Sequence, residues 1–104
     1  MTLLPEIEEA REEIEALCRR FGVQRLEIFG SAVTGSFKPD ESDLDFLVEF
    51  ESPEQPGYSN RYFGLLEALE DRFGRSVDLV VDSSISNPYF RKSVEQSRTL
   101  LYAA

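Results

Sequence analysis

The segment LEIFGSAVTG at residues 26–35 and the segment ESDLDFLV at residues 41–48 decide how this chain folds. Both contain apolar runs of Ile, Leu, Val and Phe, which predict two β-strands. Because side chains of a strand point alternately to opposite faces, Asp43 and Asp45 share one face while the apolar residues beside them point into the core. The second strand therefore presents two carboxylates on its polar face.

A third carboxylate lies in a later apolar run, and a glycine turn precedes all three. Asp78 falls within residues 76–81, which predict a third strand. Carboxylates from neighbouring strands are hard oxygen ligands that hold Mg²⁺ while it still carries water and substrate phosphates. Gly30 lets the backbone approach a phosphate closely, and Ser31 offers a hydroxyl and an N–H at the expected start of a short helix. The pattern predicts metal-assisted chemistry on a nucleoside triphosphate.

The rest of the sequence predicts a single small domain, residues 1–104, of the α/β (α+β) class. Apolar residues at helical spacing alternate with short apolar runs, which predicts a mixed sheet of about three strands covered by helices in the order αβαβαβα. The predicted helices cover about 4–21, 32–36, 62–73 and 87–101, the strands cover 23–29, 43–50 and 76–81, and the longer loops cover 36–42 and 51–57.

The last predicted helix has a defined start. Asn87 is a typical N-cap, and Pro88 suits the first helical position. We expect its apolar stripe to cover the core or to form part of an interface. This stripe runs through Phe90, Val94, Ser97 and Leu101.

Composition excludes several kinds of site. The chain has no His and one Cys, so neither a Ser-His-Asp nor a Cys-His nucleophile can be built, and Cys18 alone cannot form a His/Cys zinc site. Carboxylates with a hard divalent cation are the main catalytic groups that remain. The single Cys18 gives no disulfide framework, which favours a reducing compartment. We find no signal-peptide pattern and no stretch near the ~18 apolar residues of a membrane span, so we expect a cytoplasmic protein.

The net charge of −9, from 11 Lys and Arg against 20 Asp and Glu, limits the partners. Such an acidic surface repels phosphate backbones, so we expect no direct binding of nucleic acid. The acidic site itself needs metal ions before it can accept a triphosphate. Glu49 shares the face of Asp43 and Asp45, and we interpret it as a solvated carboxylate.

On the Gly30-Ser31 turn, the Asp43-Leu44-Asp45 motif and Asp78, the chain resembles the DNA polymerase beta superfamily of nucleotidyltransferases. It is most similar to the smallest members, the minimal nucleotidyltransferase (MNT) antitoxins. The resemblance implies that Asp43 and Asp45 ligate two Mg²⁺ ions, that Asp78 completes the site of the metal facing the nucleophile, and that Gly30 and Ser31 hold the outer phosphates. The implied reaction is in-line attack on the α-phosphate of ATP with pyrophosphate leaving.

The resemblance also implies a function and a partner. The chain would be an antitoxin that transfers AMP from ATP to a tyrosine of a HEPN-family toxin encoded by a neighbouring gene. Two alternatives stay open: a non-catalytic antitoxin that occludes the toxin, and a small-molecule nucleotidyltransferase. Family members often carry Arg where this chain has Ala32 and Thr34, and that departure favours occlusion, because Arg can clamp phosphate oxygens with two bonds.

Overall fold

The computed structural model describes residues 4–35 and 43–104. The loop predicted over 36–42 lies outside these residues. A 3₁₀ turn over Asp82–Ser84 follows the third strand. In chain order the other elements are α1 (Pro5–Glu9), α2 (Arg11–Arg20), β1 (Val23–Phe29), α3 (Ser31–Thr34), β2 (Leu44–Phe50), α4 (Tyr58–Phe73), β3 (Val77–Val81), α5 (Pro88–Ser97) and β4 (Thr99–Ala103).

The four strands form one mixed sheet in the order β3-β2-β1-β4. β1 is antiparallel to both β2 and β4, whereas β2 and β3 run parallel. A parallel pair needs a crossover connection, and α4 provides it. The described elements therefore confirm the predicted mixed α/β class, with a small sheet covered by helices.

The two faces of the sheet bury different groups. One face packs against the N-terminal helices and α4, and the other packs in part against α5. The first core includes Ile14 and Cys18 of α2, Leu26 and Ile28 of β1, Phe46 and Val48 of β2, and Leu65 and Leu69 of α4. The second core is smaller and consists of Phe29, Leu47 and Val94, with Val80 and Ile85 against them. The second face thus leaves room for polar groups.

The predicted N-terminal helix is divided in two at Ala10. The N–H of Ala10 bonds to the carbonyl of Ile7, three residues earlier, and its φ and ψ are −92° and 4°. Ile7, Ala10 and Ile14 are nevertheless all buried, so the apolar stripe is continuous across the break. The spacing of apolar residues predicts the buried stripe, but it does not predict the single tighter turn at Ala10 that divides the helix.

The prediction of a final helix reaching Leu101 is wrong. α5 ends at Ser97, Arg98 turns to an extended conformation (φ −57°, ψ 131°), and β4 pairs with β1. Leu101 is 5% exposed and joins the first core from a strand. Its spacing from Val94 fits a helix, but the free edge of β1 offers backbone partners that a continued helix could not use. This strand raises the number of strands from about three to four.

α4 ends at Phe73, as predicted, but it begins at Tyr58, four residues before the expected start. Two other boundaries agree closely with the expectations. β1 has the predicted bounds, and β2 begins at Leu44, one residue after Asp43. The Asn87 side chain accepts hydrogen bonds from the N–H groups of Tyr89 (2.8 Å) and Phe90 (3.2 Å), as a cap should. No helix within the described residues is long and apolar enough to cross a membrane.

The outer edge of β3 is partly covered by side chains. The Tyr62 hydroxyl of α4 donates to the Leu79 carbonyl, and the Val77 N–H donates to a Glu70 carboxylate oxygen at 3.2 Å. On the side of this strand that faces β2, the Ser76 carbonyl accepts the Leu44 N–H. Groups of β3 that face away from β2 are thus used by α4.

Candidate active site

Asp45 and Asp78 lie side by side on the second face of the sheet. Asp45 of β2 is the register partner of Asp78 of β3, and neighbouring strands are spaced by about 4.8 Å. Asp43 immediately precedes β2, two residues from Asp45, so it has the same parity. Asp45 is half-buried, whereas Asp43 and Asp78 are exposed. The fold brings the three predicted carboxylates to one region.

The negative charges of this cluster act on one another. Burial raises the pKa of Asp45 to about 6, and the charges of Asp78 and Asp43 add to the effect. Within residues 4–35 and 43–104, no Lys or Arg forms an ion pair with these three carboxylates. A bound cation would therefore relieve both repulsion and burial cost.

The donor set fits Mg²⁺, although the described side chains do not form a closed cage. No group of three or more His, Cys, Asp or Glu side chains among the described residues is arranged to hold a metal ion by itself. Mg²⁺ is usually bound by one or two carboxylates together with substrate phosphates and water, rather than by a cage of protein ligands. The aspartates match that requirement by their chemistry.

The turn at Gly30 lies directly against Asp45. Gly30 has φ 75° and ψ −146°, a conformation that is almost confined to glycine. A Cβ atom at this position would lie 2.6 Å from Asp45 Oδ2. The Gly30 carbonyl accepts the N–H groups of Val33 (3.0 Å) and Thr34 (3.1 Å), which closes α3. Both the backbone shape and the contact with Asp45 therefore require glycine here.

Ser31 begins α3, as predicted, and Ala32 and Thr34 in the same turn have different surroundings. Ala32 is 3% exposed and belongs to the first core, whereas Thr34 is exposed. The helix is shorter than the predicted 32–36, and Ser36 lies outside the described residues. Ala32 therefore serves packing.

Sequence reasoning missed Ser97 as a polar partner of the site. Its hydroxyl Oγ accepts the Gly30 N–H at 2.9 Å, and the side chain is 4% exposed. The sequence does carry one signal, since a serine within the mostly apolar stripe of α5 needs a hydrogen-bond partner once buried. The identity of that partner depends on tertiary packing, because Gly30 lies 67 residues away.

Tyr62 of α4 packs against the first core, on the other side of the sheet from the acidic cluster, and is still close enough to be affected by the charge of Asp78. Burial and the Asp78 charge raise the pKa of its hydroxyl, which donates to the Leu79 carbonyl. A groove of about 360 Å³ begins here, between the start of α4 and β3, and its walls include the rings of Tyr58, Tyr62 and Phe63. Phe63 is 61% exposed.

A network of ion pairs fixes α5 beside the site. The Arg98 guanidinium donates to Glu27 at 2.6 and 3.0 Å and to Asp82 at 2.8 Å. Arg25 and Arg91 also bind Asp82. Glu27 and Asp82 are each 7% exposed. This network joins β1, the 3₁₀ turn and the end of α5.

The charges of the network keep its carboxylates ionised. The hydrogen bond from Arg98 lowers the pKa of Glu27 and outweighs the opposing effect of burial. Burial also acts to raise the pKa of Asp82, but hydrogen bonds and charges from Arg91 and Arg98 produce a net lowering. The same partners raise the pKa of Arg98. Nearly buried carboxylates are stable here only because they are paired.

Glu49 is more closely held than the solvated carboxylate we expected. It is half-buried, and its Oε1 atom accepts the backbone N–H of Ser83 in the 3₁₀ turn. Glu49 therefore ties that turn to β2. The described contacts give it a structural role next to the acidic cluster.

Comparisons with known proteins find relatives that cover most of this chain. The nucleotidyltransferase domain family matches residues 10–101. MJ1379 of Methanocaldococcus jannaschii, a predicted protein adenylyltransferase, is 39% identical over 97 residues, which cover 92% of this chain and 95% of that protein. The protein adenylyltransferase MntA of Thermococcus cleftensis is 42% identical over 84 residues, which cover 73% of this chain and 81% of that protein.

Solved structures share the fold. A predicted minimal nucleotidyltransferase superposes with a TM-score of 0.75 at 32% identity and covers 94% of this chain and 95% of its own. A toxin–antitoxin structure with AMP-PNP superposes with a TM-score of 0.67 at 23% identity, covering 90% of this chain and 73% of its own. The second likeness concerns the fold alone.

Proposed function

The chain belongs to the nucleotidyltransferase domain family and is therefore an enzyme of that class, and we propose that it transfers AMP from ATP to a tyrosine of a partner protein. The proposed partner is a HEPN-family toxin encoded by a neighbouring gene, so that the chain acts as an antitoxin. The observation that carries the proposal is the pair Asp45 and Asp78 beside the Gly30 turn. The similarity to protein adenylyltransferases supports a protein acceptor.

In this proposal the carboxylates have distinct tasks. Asp43 and Asp45 would hold Mg²⁺ together with the triphosphate, and Asp78 would complete the side that faces the attacking hydroxyl. Bound Mg²⁺ would supply charge stabilisation for the phosphates during transfer. Because burial raises the pKa of the Asp45 carboxyl to about 6, cation binding would displace a proton from Asp45 only at mildly acidic pH. The cluster is thus suited to bind a metal and a nucleotide together.

The turn supplies the second part of the proposed site. Gly30 places the backbone against Asp45, and Ser31 contributes a hydroxyl and an N–H to the outer phosphates. The acceptor tyrosine would lose its hydroxyl proton to solvent and its oxygen would form a bond to the α-phosphorus. The bond from that phosphorus to the bridging oxygen would break, and pyrophosphate would leave. Holding the nucleophile and the α-phosphate in line provides much of the rate acceleration in such reactions.

The proposal is tested by label transfer from α-phosphate-labelled ATP with Mg²⁺ to the purified neighbouring-gene product. We would compare the wild type with Asp43→Asn/Asp45→Asn. Glu67→Gln/Asp71→Asn is the matched control, because it removes two exposed carboxylates of α4. We expect label on the partner with the wild type and the control only, and on a tyrosine in a peptide digest. An equally labelled partner with the Asp43→Asn/Asp45→Asn variant would contradict the assigned roles.

Occlusion is the second candidate, and Ala32 is the observation that favours it. A core alanine stands where the family resemblance leads us to expect Arg, and Ala32 is 3% exposed, so this turn supplies no guanidinium at that position. Occlusion predicts a tight complex without ATP or Mg²⁺, full silencing of the toxin by Asp43→Asn/Asp45→Asn, and no label on the partner. Modification of a small acceptor instead of the partner would favour the third alternative, a small-molecule nucleotidyltransferase.

A further inference from the structure

We propose that Ser97 is a positioning residue that sets the shape of the Gly30 turn and thereby the binding of the outer phosphates of the nucleotide. This inference rests on the proposed function, in which that turn contacts the triphosphate. Ser97 is the last residue of α5, and its Oγ accepts the Gly30 N–H at 2.9 Å. Ser97 itself touches neither substrate nor metal in this scheme.

The backbone of Gly30 is held on both sides of its Cα atom. Its N–H is used by Ser97, and its carbonyl is used by Val33 and Thr34. The Gly30 N–H is therefore directed at α5 rather than at a ligand. The ligand contacts of the turn fall to Ser31, whose direction follows from the conformation of Gly30.

The same bond controls how closely the turn approaches the acidic cluster. A Cβ on Gly30 would be only 2.6 Å from Asp45 Oδ2, so small shifts of the turn change the space beside this carboxylate. Loss of the Ser97 hydroxyl would leave the buried Gly30 N–H without an acceptor. Because an unsatisfied buried donor is unfavourable, we expect the turn to shift until this N–H finds water or another acceptor. The consequence is a displaced phosphate contact next to an otherwise intact cluster.

Ser97 can hold its hydroxyl in a fixed place because the chain is anchored on both sides of it, by Val94 within α5 and by Arg98 directly after the helix. Val94 is fully buried in the second core with Phe29, the residue before Gly30. Arg98, the residue after Ser97, is bound to Glu27 and Asp82. Apolar packing on one side and paired charges on the other therefore hold the hydroxyl in place.

The test compares Ser97→Ala with Ser97→Thr, which keeps a hydroxyl, and with Ser93→Ala as a matched control. Ser93 is an exposed serine of the same helix. In the full chain we expect Ser97→Ala to raise the KM for ATP about five- to tenfold, as loss of one hydrogen bond would, and to leave the KM for the acceptor protein unchanged. Ser97→Thr should restore most of the difference, and Ser93→Ala should match the wild type.

Direct measurements separate this inference from the proposed reaction. Amide hydrogen exchange should become at least about tenfold faster at Gly30 in Ser97→Ala, with little change along β2. Affinity for Mg-ATP should fall, while affinity for AMP, which lacks the outer phosphates, should not. These readouts apply even if the wild type transfers no AMP, a result that would reject the proposed reaction only.

Several outcomes would overturn the positioning role. One is faster exchange at Gly30 with unchanged affinity for Mg-ATP and unchanged KM, which would make the bond purely structural. Another is an equal loss of affinity for ATP and AMP, or a wild type that binds no triphosphate. If Ser97→Thr does not fold, Ser97→Cys, with a weaker acceptor, must give a KM for ATP between those of the wild type and Ser97→Ala.

Discussion

Asp45 of β2 is the direct lateral neighbour of Asp78 of β3 in a parallel pair of strands. Two like charges opposite each other oppose strand pairing, and burial of Asp45 adds to the cost. Proteins retain such costly arrangements at functional sites, where a ligand later compensates the charge. Removing one charge of this pair should therefore raise the stability of the fold and lower the activity.

The first prediction concerns Asp78→Asn, whose stability is measured without metal and whose activity is measured with Mg²⁺. Removing one of two opposed charges should stabilise the fold by a few tenths to about 1 kcal/mol, while AMP transfer should fall by about a hundredfold or more because a metal ligand is lost. Urea unfolding in EDTA and label transfer measure the two effects. Asp71→Asn, on the exposed side of α4, should change neither. A less stable Asp78→Asn protein would contradict the electrostatic account.

The second prediction concerns Gly30→Ala. The added Cβ would meet Asp45 Oδ2 at 2.6 Å in a backbone conformation that L-residues avoid, so we expect a loss of about 2–4 kcal/mol in unfolding free energy and loss of transfer. Gly35→Ala is the control, because Gly35 also has positive φ but nothing within 4 Å. It should cost about 1–2 kcal/mol. Equal losses in the two variants would show that the contact with Asp45 contributes nothing.

The third prediction concerns Arg98→Met. This change leaves Glu27 and Asp82 with fewer partners in a nearly buried region, which should cost about 3–5 kcal/mol. Arg72→Met removes an exposed ion pair with Glu13 of similar length and should cost less than about 1 kcal/mol. Chemical denaturation at neutral pH compares them. Similar costs for both variants would show that burial does not strengthen the Arg98 network.

The fourth prediction is the response of that network to acid. The pKa values of Glu27 and Asp82 are lowered in the fold, so their stabilisation is complete above their unfolded values, near pH 4, and is lost as pH falls through the lower folded values. The contribution of Asp45 to stability changes with pH in the opposite direction. Because its pKa is raised in the fold, this contribution is largest at low pH and is lost as the pH rises through about 6. Unfolding between pH 7 and 2 should therefore be compared in Asp45→Asn and Asp45→Asn/Arg98→Met. The second should lose less stability below pH 4.

The fifth prediction concerns Cys18. Its side chain is fully buried, and burial raises its pKa to about 12, so a disulfide reagent should label native protein only at the rate of opening. An unfolded thiol ionises near pH 8.5, whereas the folded one does not. Stability should therefore fall as pH rises from about 9 towards 12, and Cys18→Ala should lack this component. Rapid labelling of native protein at pH 8 would contradict it.

Local sequence patterns predicted the elements whose signals are local. β1 was predicted with its observed bounds, and Asn87 was identified as a cap, because alternation and capping involve neighbouring residues. Leu101 was misassigned because its spacing suits a helix, while its strand pairing depends on the free edge of β1. An edge becomes free only through the order of strands in the sheet, which no local pattern encodes.

The candidate site likewise contains some residues that local sequence patterns predict and others that depend on tertiary packing. Parity along β2 places Asp43 and Asp45 on one face, and the apolar run of β3 indicates Asp78 as a third carboxylate from a neighbouring strand. Their catalytic roles stay predictions. The Ser97 bond to Gly30 and the Arg98 bond to Glu27 join residues 67 and 71 positions apart. Such partners are set by how α5 packs on the sheet. Sequence could therefore indicate the carboxylates but not the groups that orient the turn beside them.

The covered outer edge of β3 affects how this sheet behaves at high concentration. Exposed edge strands offer unpaired backbone groups to other chains and so promote aggregation. Here the Tyr62 hydroxyl uses the Leu79 carbonyl, and Glu70 uses the Val77 N–H. An incoming strand would have to displace both side chains before it could extend the sheet. α4 thus protects the strand that carries Asp78 from intermolecular strand addition while leaving Asp78 itself exposed.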